Sequence, residues 1–357
     1  MDKKVAIILL NYKEYAVKYL KDCLSGIRQQ DYQFATKLYI VDNSSSEESF
    51  SFLKENAPEA EIIRNENNDG FAKGNNDAIT KALADACSYI FLLNMDTIIE
   101  ASALRKLVEA IDSEEKIGAV QARLMLHPST ELVNSLGNST HFLGFGYCLN
   151  YQDEYSKLLK KGRPQISKIF YPSGAAVLFR AEVLEKVGLF DESYFMYNED
   201  QDLGWRVWLQ GYSCLLVEDA IVYHKYEFSR SISKYYFMDR NRAITILKNY
   251  HIVTLLLIIP AVIIMELGLL FFSVLNGSLK EKIKTWNYFL SKENWKRILL
   301  DRSKIQNSRC LKEKEIFKML SGKIWYQEVG SPLLRLANFF LNIYFIFLKT
   351  VIKILNI

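Results

Sequence analysis

From residue 4 to about 121 the chain alternates short runs rich in Val, Ile and Leu with longer stretches in which apolar residues return every three or four positions. The short runs predict strands at 5–10 (VAIILL), 37–42 (KLYIVD), 60–65 (AEIIRN), 88–94 (SYIFLLN) and 117–122 (IGAVQA). The longer ones predict helices over 13–30, 47–56, 71–85 and 100–112. Strands and helices in strict alternation, joined by short polar turns, are the pattern of β-α-β units around a mostly parallel sheet. The section 122–170 is less regular, Gly-rich and aromatic. The stretch 171–225 then reads as strand, helix, loop, helix, strand, its second helix opening near Glu199 with acids where the helix dipole favours them.

Beyond residue 229 the pattern changes. Between 252 and 275 only Glu266 is charged, and a run of that length reaches across a hydrocarbon core of about 30 Å. A second apolar stretch, 332–355, carries Lys349 and Lys353, placed to snorkel or to meet anionic head groups. A basic, Trp-bearing segment of the kind found at membrane interfaces lies between them. Two spans, or one span with interfacial helices, fit this pattern equally, and Pro260 and Glu266 also permit a re-entrant or monotopic arrangement. The chain therefore divides in expectation into an α/β domain over 1–228 and a helical, membrane-associated region over 229–357.

Composition narrows the picture. The 45 basic and 41 acidic residues leave a formal charge of +4, too little to argue a nucleic-acid partner. Cys23, Cys87, Cys148, Cys214 and Cys310 show no C-x-x-C spacing, so neither a zinc ribbon nor a disulfide framework is indicated, and a reducing compartment is expected. The N-terminal apolar run is too short for a signal-peptide core and reads as the first strand of a cytosolic domain.

Polar residues end each of the first four strands: Asn11, then Asp42 and Asn43, then 65–70, then 94–96. One such set would be turn chemistry. Four at one sheet edge favour a nucleotide crevice, because ligands of open α/β sheets bind beyond the carboxyl ends of the strands. No G-x-G-x-x-G follows the first strand, which excludes a dehydrogenase of the dinucleotide-binding kind. The absence of a Gly-rich phosphate loop there also argues against the alternative of a sugar nucleotidyltransferase. A membrane-anchored binding protein with a dead catalytic domain is the third reading. It would lack acids at 96 and 200, and both are present.

The segments ILLNY, IVDNSS, NENNDGFAKGNN, LLNMDT, SGAAVLFR, GLFDESYFMYNEDQDLGWR and VYH, in this order, resemble the family 2 inverting glycosyltransferases of the GT-A fold, particularly the rhamnosyltransferase-like members. The likeness covers roughly the first two thirds of the chain. It implies a metal-dependent transfer of sugar from a nucleoside diphosphate to a hydroxyl of a lipid-linked, polyprenyl diphosphate glycan in cell-surface polysaccharide synthesis, at the cytoplasmic face of the plasma membrane. dTDP-rhamnose is the leading donor and a UDP-sugar, galactofuranose or hexose, the alternative.

By the same resemblance Asp96 and His224 hold Mg²⁺ or Mn²⁺, while Asn94, standing where the family's D-x-D motif has its first acid, touches the nucleotide. Asp200 is the base that takes the acceptor proton, and Glu199 positions the acceptor or orients Asp200. Asn11 and Asp42 belong to the nucleotide site, Asp42 reading a pyrimidine imide. Asn67, Phe71 and Asn75 stand near ribose or sugar, Gly70 and Gly74 let backbone approach the donor, and Ser173, Gly174 and Ala175 form a wall under the sugar. Arg240 and Arg242 contact a diphosphate or simply set topology beside the apolar segment. The tail is as able to pair with a second copy as to lie on lipid.

Overall fold

The structure, a computed structural model, describes residues 3–226, 232–325 and 332–357. Its strands are β1 (Val5–Asn11), β2 (Thr36–Asn43), β3 (Glu61–Asn65), β4 (Tyr89–Leu93), β5 (Thr97–Ile99), β6 (Ile117–Leu126), β7 (Val133–Ser135), β8 (Asn138–Thr140), β9 (Gly146–Cys148), β10 (Ile166–Lys168), β11 (Ala176–Arg180) and β12 (Ser213–His224). Its helices are α1 (Tyr15–Arg28), α2 (Glu47–Asn56), α3 (Gly70–Ala84), α4 (Ala103–Asp112), α5 (Tyr155–Leu159), α6 (Ala181–Val187), α7 (Glu199–Leu209), α8 (Ile232–Asn249), α9 (Ile252–Leu275), α10 (Leu279–Tyr288), α11 (Lys292–Ser308), α12 (Glu313–Met319) and α13 (Pro332–Leu355). All five strands and four helices expected over 4–122 are present.

Two compact units emerge. The first comprises 1–138, 148–207 and 212–227, and the second 139–147, 208–211 and 228–357. The second thus joins two short segments from earlier in the chain to the C-terminal part.

The first unit is built on a sheet of order β10-β12-β6-β11-β4-β1-β2-β3, with β5 on β12 and β7 on β6. Strands β3, β2, β1 and β4 run parallel, as do β6 and β12, while β11 lies antiparallel between β4 and β6. The central strands β1 and β4 are buried almost throughout, as strands covered by helices on both faces must be. Their side chains join those of α1 and α4 in one core: Val5, Ile7 and Leu9 meet Leu20, Leu24, Phe91, Leu104 and Leu107. Two strand registers place the polar residues at the sheet edge. Asn11 pairs with Asp42, and Asp42 with Arg64, so three strand ends stand level. At the other side β5 pairs antiparallel with β12, setting His224 opposite Thr97.

Among its described residues the second unit is mainly helical, with the paired strands β8 and β9 at 138–148 lying largely within it. The last carbonyls of α8 and its following turn, which no further helical turn can satisfy, are taken by side chains of α11: Arg302 donates to Leu247 and Tyr250 carbonyls at 2.6 Å each, and Gln306 to those of Lys248 and Asn249. Phe142 is fully buried, its ring stacked at 5.6 Å on Phe345 of α13 and its carbonyl accepting from Tyr250 Oη.

Candidate active site

Where β1, β2 and β3 end, the level strand ends form a polar chain. Asn11 Nδ2 donates to Asp42 Oδ1 at 2.7 Å while its own Oδ1 accepts from Ala16 N at the start of α1. Asp42 is fully buried, and its Oδ2 has no hydrogen-bond partner, although Arg64 Nε stands 3.4 Å away. A buried carboxylate oxygen left unbonded costs free energy. It is a ready acceptor for an N–H donor such as a pyrimidine imide. Arg64 is itself fixed by Glu47 at 2.5 Å and by stacking on Phe50.

The residues after β3 are organised by Asn43, which donates to Asn68 Oδ1 and the Gly70 carbonyl and accepts from Asp69 N. Asn67 is exposed. Phe71 is half-buried, and Asn75 is buried with its Nδ2 on the Phe71 carbonyl of its own helix. Gly70 and Gly74 do something other than expected: their missing Cβ atoms make room for protein. A Cβ on Gly70, whose φ is +79°, would come within 2.4 Å of the Phe195 carbonyl oxygen, and one on Gly74 within 2.7 Å of Leu10. The Phe195 carbonyl accepts from Phe71 N and Ala72 N, capping α3. Helix α3 is thereby tied to the loop 195–198, in which Phe195, Tyr197 and Asn198 all have positive φ. Non-glycine residues held there store strain, and such strain clusters at functional sites.

That loop delivers Glu199 and Asp200 at the start of α7. Asp200 accepts from Gln201 N at 2.8 Å and from Gly174 N at 3.4 Å. Gly174 sits in a tight turn whose neighbours are also held: Ser173 N donates to the buried Gln121 side chain at 2.7 Å, and the Ala175 carbonyl accepts from Asn94 N. A Cβ on Gly174 would meet the Phe71 ring at 2.8 Å. The turn therefore bridges the end of β4, the start of α3 and the start of α7. Burial pushes the Asp200 carboxyl up to about 6, against the lowering effect of its backbone donors. Burial, and then the Asp200 charge, push Glu199 well above the usual carboxylate range, and its Oε2 is buried without a partner. Burial thus raises both carboxyls, and the proton is held more readily by Glu199, which also feels the Asp200 charge, than by Asp200 with its backbone donors. Asp202 is spent on structure: fully buried, it pairs with Arg206 at 2.9 Å, and Arg206 binds the carbonyls of Val187, Gly188 and Leu189.

Asp96 and His224 meet as the β5–β12 register dictates. Asp96 Oδ1 and His224 Nε2 are 3.3 Å apart, both buried and neither with a hydrogen-bond partner. His224 Nδ1 lies 3.0 Å from Asn134 Oδ1, and the tautomer that donates from Nδ1 to that oxygen turns the Nε2 lone pair toward the carboxylate. Two unpartnered acceptors facing each other fit a shared cation. Oxygen and imidazole nitrogen together suit Mn²⁺ and Mg²⁺. Among the described residues no cluster of three or more His, Cys, Asp or Glu completes a metal shell, so further oxygens would have to come from a ligand. Asn94 stands two residues before Asp96, its carbonyl accepting from Thr97 Oγ1 at 2.7 Å.

Arg240 and Arg242 belong to the second unit and are engaged there. Arg240 donates to Asn241 Oδ1 and Tyr236 Oη, and Arg242 pairs with Asp239 at 2.8 Å and Glu266 at 2.6 Å. Asn134, Gln121 and Arg64 were not singled out by the sequence. Asn134 and Gln121 show no periodic signal of their roles, whereas Arg64, ending a strand beside Asp42, had the same positional cue as its neighbours.

The profile described as Glycosyltransferase like family 2 matches residues 3–245. Among curated proteins the chain is 24% identical over 213 residues to the poly-beta-1,6-N-acetyl-D-glucosamine synthase of Staphylococcus aureus (strain COL), covering 58% of this chain and 46% of that one. It is 25% identical over 207 residues to the low-salt glycan biosynthesis hexosyltransferase Agl10 of Haloferax volcanii, covering 57% and 61%. The chain thus spans about half the length of these relatives. Among solved structures it is similar to GalNAc-T7 with UDP, GalNAc and Mn²⁺ (TM-score 0.54, 13% identity, 69% of this chain and 48% of that one). It is also similar to S. aureus TarS 1–349 in complex with UDP (TM-score 0.50, 15% identity, 98% and 91%). Both likenesses concern the fold.

Proposed function

The chain belongs to the glycosyltransferase like family 2, and on that premise we propose that it transfers a sugar, with inversion and with a divalent cation, from a pyrimidine nucleoside diphosphate to a hydroxyl of a lipid-linked glycan. The observation that carries this reading is the unpartnered pair Asp96 Oδ1 and His224 Nε2 at the sheet's end, in the same unit as Asp42 at the end of β2 and Asp200 at the start of α7.

In this reading the buried Asp42 oxygen accepts the imide N–H of the base, held in aim by Asn11, while Asn94, Asn67, Phe71 and Asn75 line the donor. Asp96 and His224 would hold Mg²⁺ or Mn²⁺, which neutralises charge on the departing diphosphate. Asp200 takes the proton of the acceptor hydroxyl as its oxygen attacks the anomeric carbon from the face opposite the diphosphate. The bond to the diphosphate breaks and its electron pair leaves with the nucleotide. Glu199, whose carboxyl burial pushes toward its protonated form, positions the acceptor beside Asp200. Arg240 and Arg242, enclosed by their own partners, have less support as diphosphate contacts.

Of the two expected donors, the UDP-sugar has the support of the relatives: one is a hexosyltransferase, and the other, a poly-N-acetylglucosamine synthase, adds an N-acetylhexosamine that the sequence did not suggest. The cytoplasmic face of a membrane suits an acceptor on a polyprenyl carrier, because tethering raises its effective concentration. A screen of UDP- and dTDP-sugars with the full chain, Mn²⁺ and a lipid-linked acceptor, read as release of nucleoside diphosphate, tests the proposal. Turnover with a UDP-sugar is expected. Turnover with dTDP-rhamnose alone would reverse the donor assignment, and none with any donor would defeat the reading.

A further inference from the structure

We propose that the helical unit docks on an anionic membrane surface with α9 and α13 lying in the membrane plane, neither of them crossing it. Each helix has 24 residues, about 36 Å, so length alone permits a crossing. What decides is which sides are covered. On α9 the exposed apolar residues Ile252, Leu256, Ile259, Ile263, Ile264, Leu267, Phe271, Val274 and Leu275 together cover about one half of the helix surface from end to end. Thr254, Ile258, Ala261 and Ser273, on the opposite side, are buried. A helix crossing a bilayer alone would meet lipid all round. This one meets it along one face from end to end.

The charge within α9 points the same way. Glu266 accepts from Arg242 of α8 at 2.6 Å, and from Lys282 of α10 at 2.6 Å and Trp286 at 3.4 Å. Asp239 of α8 joins the same two cations at 2.8 and 2.7 Å, closing a ring of alternating charges. Helix α9 is therefore clamped, about 13 Å from its C-terminal end, to two helices that carry many charges: LKEKIKTWNY has four in ten residues. Burying α9 in hydrocarbon on all sides would draw that polar pair in with it, at about 2.5–3.5 kcal/mol for each Lys, Arg or Asp near the bilayer centre. Lying flat, α9 keeps the ring on its protein side.

Helix α13 repeats the arrangement. Leu336, Phe339, Ile343 and Phe347 are exposed, while Leu341, Phe345, Leu348 and Ile352 are buried. Tyr344 Oη donates to the Leu257 carbonyl, holding α13 beside α9. The occupant is lipid because of the charge around these faces. Residues 332–357 carry Arg335, Lys349 and Lys353 and no acid, and 279–325 carry thirteen basic residues against five acidic ones. A second copy applied to this face would set cation against cation, whereas anionic head groups neutralise it. Trp286, Trp295 and Trp325 are exposed in the same unit, as suits an interface.

The test uses the full chain produced in a bacterium, in a Cys310→Ser background, with one cysteine flanking α9, either His251→Cys at its N-cap or Lys280→Cys, which follows it in α10. A membrane-impermeant maleimide is applied to spheroplasts and to inside-out vesicles. Labelling of both positions from the same side is expected; labelling of the two from opposite sides would overturn the proposal. A second measurement needs no cysteine: the chain is mixed with phosphatidylcholine vesicles with or without phosphatidylglycerol, their acyl chains brominated. Phosphatidylglycerol should strengthen binding, bromine should quench the tryptophans, and Lys349→Gln or Lys353→Gln should each weaken binding about fivefold. Equal binding to both vesicles, or a soluble dimer indifferent to vesicles, would overturn it, the dimer pointing to a second copy.

Discussion

Glu199 and Asp200 are adjacent in sequence yet differ in what they can do at neutral pH. Burial raises both carboxyls, Asp200 to about 6 and Glu199, beside the Asp200 charge, well above the usual carboxylate range. Sugar transfer should therefore fall as pH drops through about 6 and level off above it, a profile readable in kcat/KM against pH. Replacing the base, Asp200→Asn, should lower transfer about 10²–10⁴-fold. It should also stabilise the protein at pH 7. The folded carboxyl holds its proton up to about 6 where an ordinary one releases it near 3.8, so the folded state loses stability as pH rises across that interval. Removing the charge restores on the order of 1 kcal/mol, a rise in Tm of about 2–4 °C. Asn134→Ala should loosen the aim of His224 and weaken Mn²⁺ activation about 10–100-fold, measured by metal titration. Asp42, Asp96, Glu199, Asp200 and His224 stood out in the sequence because each ends or follows a strand or opens a helix. Asn134 did not, since only the fold brings a residue from an aperiodic stretch to the back of the imidazole.

Among the elements, the parallel half of the sheet was legible because its strands are buried on both faces and read as unbroken apolar runs. The turn 173–175 was legible only as small residues. Its role comes from joining three elements whose separation in sequence hides their meeting: Gly174 N reaches Asp200, Ala175 O reaches Asn94, and the glycine itself lies under Phe71. Gly174→Ala should thus misplace the base with the nucleotide end intact, lowering kcat more than it changes binding of UDP. Gly70 carries a different demand. Its positive φ and its approach to the Phe195 carbonyl both forbid a side chain, and the sequence suggested donor contact because a glycine beside a nucleotide crevice has two possible reasons to be there. Gly70→Ala should destabilise the first unit by about 1–3 kcal/mol, measurable by denaturant unfolding.

At the scale of the molecule, the two units are not consecutive lengths of chain. The expectation of a single division at 228 came from the change in hydropathy there, which marks composition and not packing. Because 139–147 packs within the helical unit, with Phe142 buried against Phe345, a chain ending at 228 should expose this segment, bind hydrophobic dyes and aggregate where the full chain stays dispersed. The first unit's chemistry rests on one relation above all, that between Asp96 and His224. Titration of the full chain with UDP, with and without Mn²⁺, beside Asp96→Ala and His224→Ala, addresses it most directly. Mn²⁺ should tighten UDP binding at least about tenfold in the unaltered chain, and both variants should lose that gain while keeping the metal-free affinity set by Asn11 and Asp42. A gain that persists in the variants, or no gain in the unaltered chain, would contradict a metal held between Asp96 and His224.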